Sequence, residues 1–147
     1  MAVLSVLIAL QACGENSGAV RSAFVMPLGV QANEPIEHIG RCTVQFPIVR
    51  LSECRDAEEP HELLAARIKG VLKTAAEFLD RRPADVFDSV VAAGLSVRVF
   101  IDIRMNQDQF EIDLTAEFVR ACGRHGLGIF VMSNDISAEE AIRAGAT

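Results

Sequence analysis

The stretch PHELLAARIKGVLKTAAEFLD, residues 60–80, carries the clearest structural pattern in the chain. Pro60 suits the first turn of a helix, because its missing N–H leaves no hydrogen bond unmade there. Apolar side chains then recur three or four residues apart and form one stripe, which comprises Leu64, Ile68, Val71, Leu72, Ala75, Phe78 and Leu79. Pro83 follows and ends the pattern. We therefore expect a long amphipathic helix over residues 60–80 that packs on a core.

The stretch SVRVFIDI, residues 96–103, follows with the period of a strand. Valine and isoleucine occupy every second position and would share one face. Arg98, a partly exposed Phe100 and Asp102 would share the other face. The simplest interpretation of this second face is a solvated surface beside a helix. It is also where we would look for a binding surface.

Shorter apolar runs predict the remaining strands, over residues 3–10, 43–51 and 127–132. Pro47 cannot donate a ladder hydrogen bond, which indicates an edge position or a bulge in the second of these strands. The run at 127–132 is continuously apolar and predicts a buried strand. Polar or glycine-rich segments predict turns and loops, at 14–18, 31–40, 52–60 and 104–109.

Two further helices are predicted in the first two thirds of the chain. The first spans residues 19–28, ends at Pro27 or Gly29, and carries on one face Val20, Phe24 and Leu28. The second spans residues 84–93, ends at Gly94, and would bury Val86, Phe87, Val90 and Val91.

Two more helices are predicted towards the C-terminus. Asp113 can cap a helix that ends near Gly126 and buries Leu114, Phe118, Ala121 and Cys122. Ser137 and Glu140 form a capping box for a short terminal helix.

The resulting order of strands and helices predicts an α/β sandwich. Its mixed sheet would have about four to five strands, with helices mainly on one face. Residues 1–147 fit a single domain. Half of the 147 residues are hydrophobic, which excludes a disordered chain. The longest apolar run, Met1 to Leu10, is too short to span a bilayer, which takes about 20 residues.

The charge distribution argues against nucleic-acid binding. Fourteen basic residues stand against 20 acidic ones, and the net charge is −6. Nucleic-acid binding needs clustered lysine and arginine, and single-strand binding favours exposed aromatic side chains. No third of the chain is net basic, and the chain has no tryptophan and no tyrosine.

The first 13 residues, MAVLSVLIALQAC, allow two interpretations. They resemble a bacterial lipoprotein signal that ends before Cys13, with a polar segment following. However, no lysine or arginine precedes the apolar stretch, and Gln11 is bulky for a cleavage site. The alternative is a buried first strand over residues 3–10, which places the protein in the cytoplasm rather than on a periplasmic membrane anchor.

The cysteines predict no metal centre of a common type. His38, Cys42, Cys54 and His61 could be drawn as a zinc set, but their spacing matches no common zinc module. A core of this size does not need disulfides, and we expect the cysteines to be packed thiols.

Five residues with oxygen ligands gather within twelve positions, from the end of the predicted strand to the start of the next helix. They are Asp102, Asn106, Asp108, Glu111 and Asp113. Calcium could use such side chains, although the spacing and the central glycine of an EF-hand are absent. A solvated loop is the alternative, and Asp102, Asp108, Glu111 and Asp113 are therefore only weak metal candidates.

The other motifs favour structural roles. His61-Glu62 begins like the zinc motif H-E-x-x-H, but residue 65 is alanine. The glycine-rich segment 123–128 leaves a helix and enters a strand, whereas a phosphate loop needs the reverse order. Cys122 and His125 would be close on one helix, but Cys122 lies on its apolar stripe, where a packed thiol is expected. We assign no catalytic and no cofactor-binding residue.

Two segments resemble the bacterial domain of unknown function 4279 family. They are LDRRPADVFDSVVAAGLSVRVFIDIR, residues 79–104, and FEIDLTAEFVRACGRHGLGIFVMSND, residues 110–135. Leu28-Gly29-Val30 and His38-Ile39-Gly40-Arg41 look like the family's N-terminal glycine elements, so the resemblance spans most of the chain. It implies a soluble bacterial domain without an established activity, and it carries over no catalytic residues.

These observations predict a small non-enzymatic domain that acts through protein contacts, as a regulatory or immunity-like binding partner. We expect no cofactor, no nucleic acid and no membrane span, and a homo-oligomer is compatible with the sequence. The candidate binding face consists of Arg98, Phe100 and Asp102. Two alternatives remain at this point, a small-molecule or metal-binding protein and a periplasmic lipoprotein anchored at Cys13.

Overall fold

A computed structural model describes residues 2–29, 36–38, 41–55, 61–105 and 112–135. The strands are β1 (Ala2–Gly14), β2 (Ile36–His38), β3 (Arg41–Arg55), β4 (Ser96–Met105) and β5 (Gly128–Asp135). The helices are α1 (Ser17–Arg21), α2 (Val25–Leu28), α3 (His61–Asp80), α4 (Asp88–Ala92) and α5 (Ala116–Arg124). None of these helices is long and apolar enough to cross a membrane.

The strands form one mixed sheet in the order β2-β3-β1-β4-β5. All pairs are antiparallel except β4 and β5, which are parallel. The four long strands form the body of the sheet, and the three-residue β2 adds to one edge. The predicted fold class, a mixed sheet packed with helices, is confirmed.

The two faces of the sheet have different roles. In β1 the even-numbered side chains from Leu4 to Ala12 belong to the hydrophobic core, together with the stripes of α3 and α5. Ala9 and Phe100 point to the other face and lie outside that core cluster, although both are buried. We call this other face, with Gln11 of β1 and Asp102 of β4, the second face.

The long helix α3 begins and ends as its pattern predicts. Leu64, Ile68, Leu72, Ala75 and Leu79 of the predicted stripe are buried. The end of α3 is tied to the end of α5 by a side-chain cap, because Nη2 of Arg124 donates to the carbonyl oxygens of Leu79 and Arg82, both at 3.0 Å. A cation at this end of a helix is also favoured by the helix dipole.

Pro47 explains the local form of β3. It stands opposite Ala9 of β1, where the register shifts by a β-bulge. Since β2 pairs only with Arg41–Thr43, no described strand lies on the outer side of Pro47. The bulge and the edge position predicted from this proline are therefore both present.

The helices predicted at 19–28 and 84–93 are both shorter than expected. The first is split into α1 and α2 with Phe24 between them, and it ends at Gly29 in the left-handed conformation (φ 71°). In the second, residues 84–87 form a turn and only α4 is helical. The prediction that Val91 is buried is wrong, since it is 59% exposed.

The cap of α5 is also different from the prediction. Thr115, rather than Asp113, accepts a hydrogen bond from the backbone N–H of Phe118, at 3.2 Å. Phe118 and Cys122 are buried as expected. The predicted terminal helix at Ser137 and most of the predicted loop at 104–109 lie outside the described residues, and residues 52–55 belong to β3 instead of a connection.

Candidate functional site

The predicted binding residues Arg98, Phe100 and Asp102 lie together on the second face, as the alternation of β4 requires. Phe100 is 5% exposed, so the expectation that it is partly exposed is wrong. Two described neighbours flank it. Ala9 of β1 stands opposite it, and the ring of Phe130 in β5 stacks on it with centroids 5.7 Å apart.

Arg98 is held in one orientation by two contacts. Its Nε donates to Oε1 of Gln11 at 2.6 Å. Its guanidinium carbon lies 4.2 Å from the centre of the Phe130 ring, which is the geometry of a cation–π contact. Gly128 is the residue of β5 opposite Arg98, so no β5 side chain stands between the arginine and that ring. Arg98 and Phe100 therefore fix the position of Phe130.

Asp102 is a buried carboxylate with only one of its two oxygens paired. Its Oδ2 accepts a hydrogen bond from Nε of Arg104 at 3.1 Å. Its Oδ1 is buried and has no hydrogen-bond partner. An unpaired buried acceptor destabilises the fold by about 1–3 kcal/mol, so a donor or a cation placed there would be bound favourably.

The predicted metal cluster is only partly visible. Asp102 and Asp113 are described, whereas Asp108 and Glu111, with Asn106, lie outside the described residues. Across the described ranges, no three histidine, cysteine or acidic side chains gather as metal ligands would. Of the four residues considered as a zinc set, Cys42 is a buried free thiol. The side chains of His38, Cys54 and His61 are not among those that the structure describes.

Cys122 and His125 do not form a nucleophile and base pair. The thiol is 1% exposed, and its burial raises the pKa of Cys122 to about 11. His125 turns away to the end of α3, where its Nε2 lies 2.7 Å from the carbonyl oxygen of Leu79. A carbonyl can only accept, so Nε2 carries the proton of this bond. The ring also packs edge-on against Phe87.

The raised pKa of Cys122 predicts a loss of stability at alkaline pH. Unfolded thiols titrate near pH 9.0, whereas the folded thiol keeps its proton up to about pH 11. Within that window the unfolded chain has released a proton that the folded chain retains, so rising pH favours unfolding. Below pH 9.0 this contribution is fully present. We expect the free energy of unfolding to fall by about 2–3 kcal/mol across the window.

Urea unfolding at pH values on both sides of that window measures this loss. No phenol titrates in the same range, because the chain has no tyrosine. Cys122→Ala is the matched variant, and its stability should depend less steeply on pH whatever its absolute stability. An equal pH dependence in the two proteins would contradict the assignment to Cys122.

The structure reveals a surface on β5 that the sequence analysis missed. Phe130, Val131 and Met132 are 37%, 42% and 40% exposed, and the expectation of a buried strand at 127–132 is wrong for these residues. We call these three residues the β5 edge surface. The cause is the position of β5, which is the outermost strand and pairs only with β4 among the described strands.

The two edges of the sheet differ in how they are protected against further pairing. At one edge, β3 carries an exposed proline and a bulge, and β2 covers its first residues. At the other edge, β5 has the sequence GIFVMSND, without proline, lysine or arginine, and its single charge is the terminal Asp135. Edge strands usually carry such devices because unpaired backbone groups attract other strands. Within the described part of the chain, β5 has no proline, bulge or basic residue of this kind.

Comparisons with family models, with curated proteins and with solved structures found no match to the chain. The resemblance to the domain of unknown function 4279 family therefore stays a prediction.

The sequence does contain one feature that points to the β5 edge surface. A strand covered on both faces and both edges is usually apolar throughout, whereas this strand ends in Ser133-Asn134-Asp135 after only five apolar or glycine residues. That feature indicates an end of the sheet, but the pairing partner of β5 depends on the order of strands in the whole sheet. A continuous apolar run alone does not distinguish a central strand from an edge strand.

Proposed function

We propose that the chain is a non-enzymatic interaction module that binds another polypeptide along the outer edge of β5. The observation that carries this proposal is the β5 edge surface. Three consecutive large apolar side chains are exposed there, on a strand without the proline, bulge or basic residue that protects an edge. A regulatory or immunity-like role is the class of function that this mode of binding fits.

Strand addition explains how such an edge would bind. The partner's backbone would pair with the outer backbone groups of β5, where no described strand pairs, and alternate side chains would provide specificity. Successive strand residues point to opposite faces. Phe130 and Met132 lie on the second face with Phe100 and Asp102, and Val131 lies on the helix side with Ile101. A partner strand would therefore need apolar side chains at matching alternate positions.

Phe130 is suited to be the anchor of this surface. Large aromatic side chains often dominate the affinity of an interface. Phe130 already contacts the stacked ring of Phe100 and the guanidinium of Arg98. Because it is ordered before binding, little conformational entropy would be lost when a partner covers it.

The cytoplasm is the proposed location. The described cysteines Cys13, Cys42 and Cys122 are free thiols, which is the usual state of cysteine in a reducing compartment. This agrees with a first strand at the N-terminus rather than a lipid anchor.

Photocrosslinking tests the proposed function. Met132 is replaced by the photoreactive residue benzoylphenylalanine, and the cells that make the protein are irradiated. We expect a covalent adduct with a defined polypeptide, because position 132 would lie in the interface. Met26 is the matched control, since it is the same residue type and 87% exposed on α2.

The adduct at position 132 should disappear when Val131→Pro removes a backbone donor from the strand. Adducts of equal yield at positions 26 and 132, or no adduct at 132, would contradict the proposal. Adducts must be identified by their peptides, since a band alone does not distinguish a partner from an abundant bystander.

A second candidate function is small-molecule or metal binding on the second face. The unpartnered Oδ1 of Asp102 favours it, because a bound cation or hydrogen-bond donor would satisfy that atom. Thermal unfolding with added divalent cations tests whether the second face binds a metal ion. No rise in Tm for the wild-type chain, or an equal rise for Asp102→Asn, would exclude it.

A further inference from the structure

We infer that Asp102 binds a small aromatic molecule that donates a neutral N–H or O–H group to the unpaired oxygen of its carboxylate. The site lies on the second face, so this inference does not use the outer edge of β5. It rests on the second candidate function. Of the two ligand classes named there, it selects the small organic molecule rather than the metal ion.

The unpaired oxygen of Asp102 determines that the ligand is a donor. Oδ1 is buried without a hydrogen-bond partner, whereas Oδ2 accepts a hydrogen bond from Nε of Arg104. The oxygens of an ionised carboxylate can only accept, so the group that satisfies Oδ1 must carry an N–H or an O–H. A neutral donor would make this bond without bringing a further positive charge next to Arg104.

The charges around Asp102 favour a neutral ligand over a cation. The guanidinium of Arg104, with its Nε 3.1 Å from Oδ2, already balances the carboxylate. The strand registers place Arg50 and Arg98 on the same face. Among the described side chains of the second face, Asp102 is the only acidic one. A metal ion would therefore meet three arginines and a single carboxylate, whereas calcium sites supply several oxygen ligands.

The side chains next to Asp102 favour an aromatic body for this donor. Its neighbours across the sheet are apolar, Leu7 of β1 and Met132 of β5. Phe100 precedes it by two residues, which places the two Cα atoms about 7 Å apart along the strand. The ring of Phe100 stacks on that of Phe130, which is 37% exposed. A planar ring that donates to Oδ1 would reach Phe130, and contacts between aromatic rings are favourable.

Met132 is the side chain whose movement would admit the ligand. Oδ1 is itself buried, so a neighbour must move before a ligand reaches it. Leu7 is half-buried on the central strand, whereas Met132 is 40% exposed on the outermost described strand. Methionine is unbranched and flexible, and it adapts to different partners. Its methyl group therefore serves as a reporter beside the site.

NMR of the full chain with isotope-labelled methionine methyl groups tests the inference, with indole as the probe. Indole is neutral and aromatic, and it carries an N–H donor. We expect the methyl resonance of Met132 to shift and to saturate as indole is added. The resonance of Met26, which is 87% exposed on α2, should stay unchanged. Met132→Leu and Met26→Leu identify the two signals among those of the four methionines.

N-methylindole is the matched probe, because a methyl group replaces its N–H. It would cover Oδ1 without pairing it. We expect its affinity to be at least about fivefold lower than that of indole, since a buried acceptor would remain unsatisfied.

Asp102→Asn is the matched variant of the protein. Its amide oxygen would accept from Arg104, and its NH₂ group would then take the place of Oδ1, where it cannot accept a hydrogen bond. Indole should therefore bind at least about fivefold more weakly. Asp85→Asn changes an exposed aspartate in the turn before α4 and should leave the affinity unchanged. Circular dichroism confirms that both variants are folded.

The outcomes separate this inference from the functions on which it does and does not depend. Equal affinities for the two probes, or equal affinities of the wild-type chain and Asp102→Asn, would overturn the donor to Oδ1 but leave small-molecule binding beside Met132 intact. A rise in Tm with a divalent cation that Asp102→Asn abolishes would overturn the inference in favour of a metal site. No shift of Met132 up to the solubility limit of indole would overturn it outright. Strand addition at β5 is tested separately, by the adduct at position 132.

Discussion

A chain that begins at Cys13 is expected not to fold. β1 is the central strand of the sheet, and it pairs along its length with β3 on one side and β4 on the other. Without residues 1–12, β3 and β4 both lose the backbone hydrogen bonds that they make to β1. The core also loses four fully or almost fully buried side chains, Leu4, Val6, Ile8 and Leu10. Each contributes about 1.5–3 kcal/mol, and their sum approaches the entire stability of a typical domain, about 5–15 kcal/mol.

Circular dichroism and urea unfolding of the chain 13–147 against the full chain measure this effect. We expect no cooperative transition for the shorter chain. Two substitutions at neighbouring positions give a finer comparison. Ile8→Asn should unfold the protein, because Ile8 is fully buried on the helix side. Leu7→Asn should be tolerated better, since Leu7 is half-buried on the second face.

This prediction bears directly on the lipoprotein alternative. Processing at Cys13 would remove all of β1 except Cys13 and Gly14. A lipoprotein made this way could not have the sheet described above. Intact mass of the protein from its own cells distinguishes the two forms, since lipidation at Cys13 requires the loss of residues 1–12. A cooperative unfolding transition in the chain 13–147 would contradict the central role of β1 and reopen this alternative.

Phe24→Ala is expected to lower the free energy of unfolding by about 3–5 kcal/mol. Phe24 is fully buried between α1 and α2. Its ring lies 6.1 Å from that of Phe46 in β3 and 6.4 Å from that of Phe87 before α4. The cluster continues from Phe46 to Phe78 of α3. Truncation of Phe24 would leave a cavity where the N-terminal helices join the sheet and the later helices.

Urea unfolding at low protein concentration measures this loss. Phe130→Ala is the matched control, because it removes the same side chain from a position that is 37% exposed. It should lower the stability by about 1 kcal/mol, a value typical of a surface site with one ring contact. Equal losses in the two variants would contradict the central position of Phe24 in the core.

The sequence was sufficient to predict a helix or strand where the residues of that element carry a clear periodic pattern of apolar side chains. The stripe of α3 and the alternation of β4 define which side chains share a face, and the structure has both. Pro47 likewise indicated its own bulge, because a missing N–H acts at the residue itself. Caps were less reliable, since Asp113 and Thr115 are both good capping residues and the choice depends on where the chain enters the helix.

The wrong predictions concern which side chains are buried and which are exposed, and residues distant in the sequence determine this. Val91 is exposed on a helix that begins at Asp88, after a turn at 84–87, instead of at residue 84. Phe100 is buried and stacks on Phe130, and the β5 edge surface lies on the outermost described strand. A local pattern contains neither the stacking partner nor the order of the strands. For the candidate site, the shared face of Arg98, Phe100 and Asp102 follows from alternation. The hydrogen bond from Arg98 to Gln11, a residue 87 positions earlier, does not.

The central position of β1 has a kinetic consequence. This strand is synthesised before the other described strands, yet its pairing with β4 joins residues as distant as Leu4 and Met105. During translation the apolar segment Val3–Leu10 therefore leaves the ribosome long before its second neighbour exists. Folds dominated by such non-local pairs form slowly, and their exposed strands attract chaperones or other nascent chains in the meantime. The strand that organises the finished sheet is thus the one most in need of protection while the protein is being made.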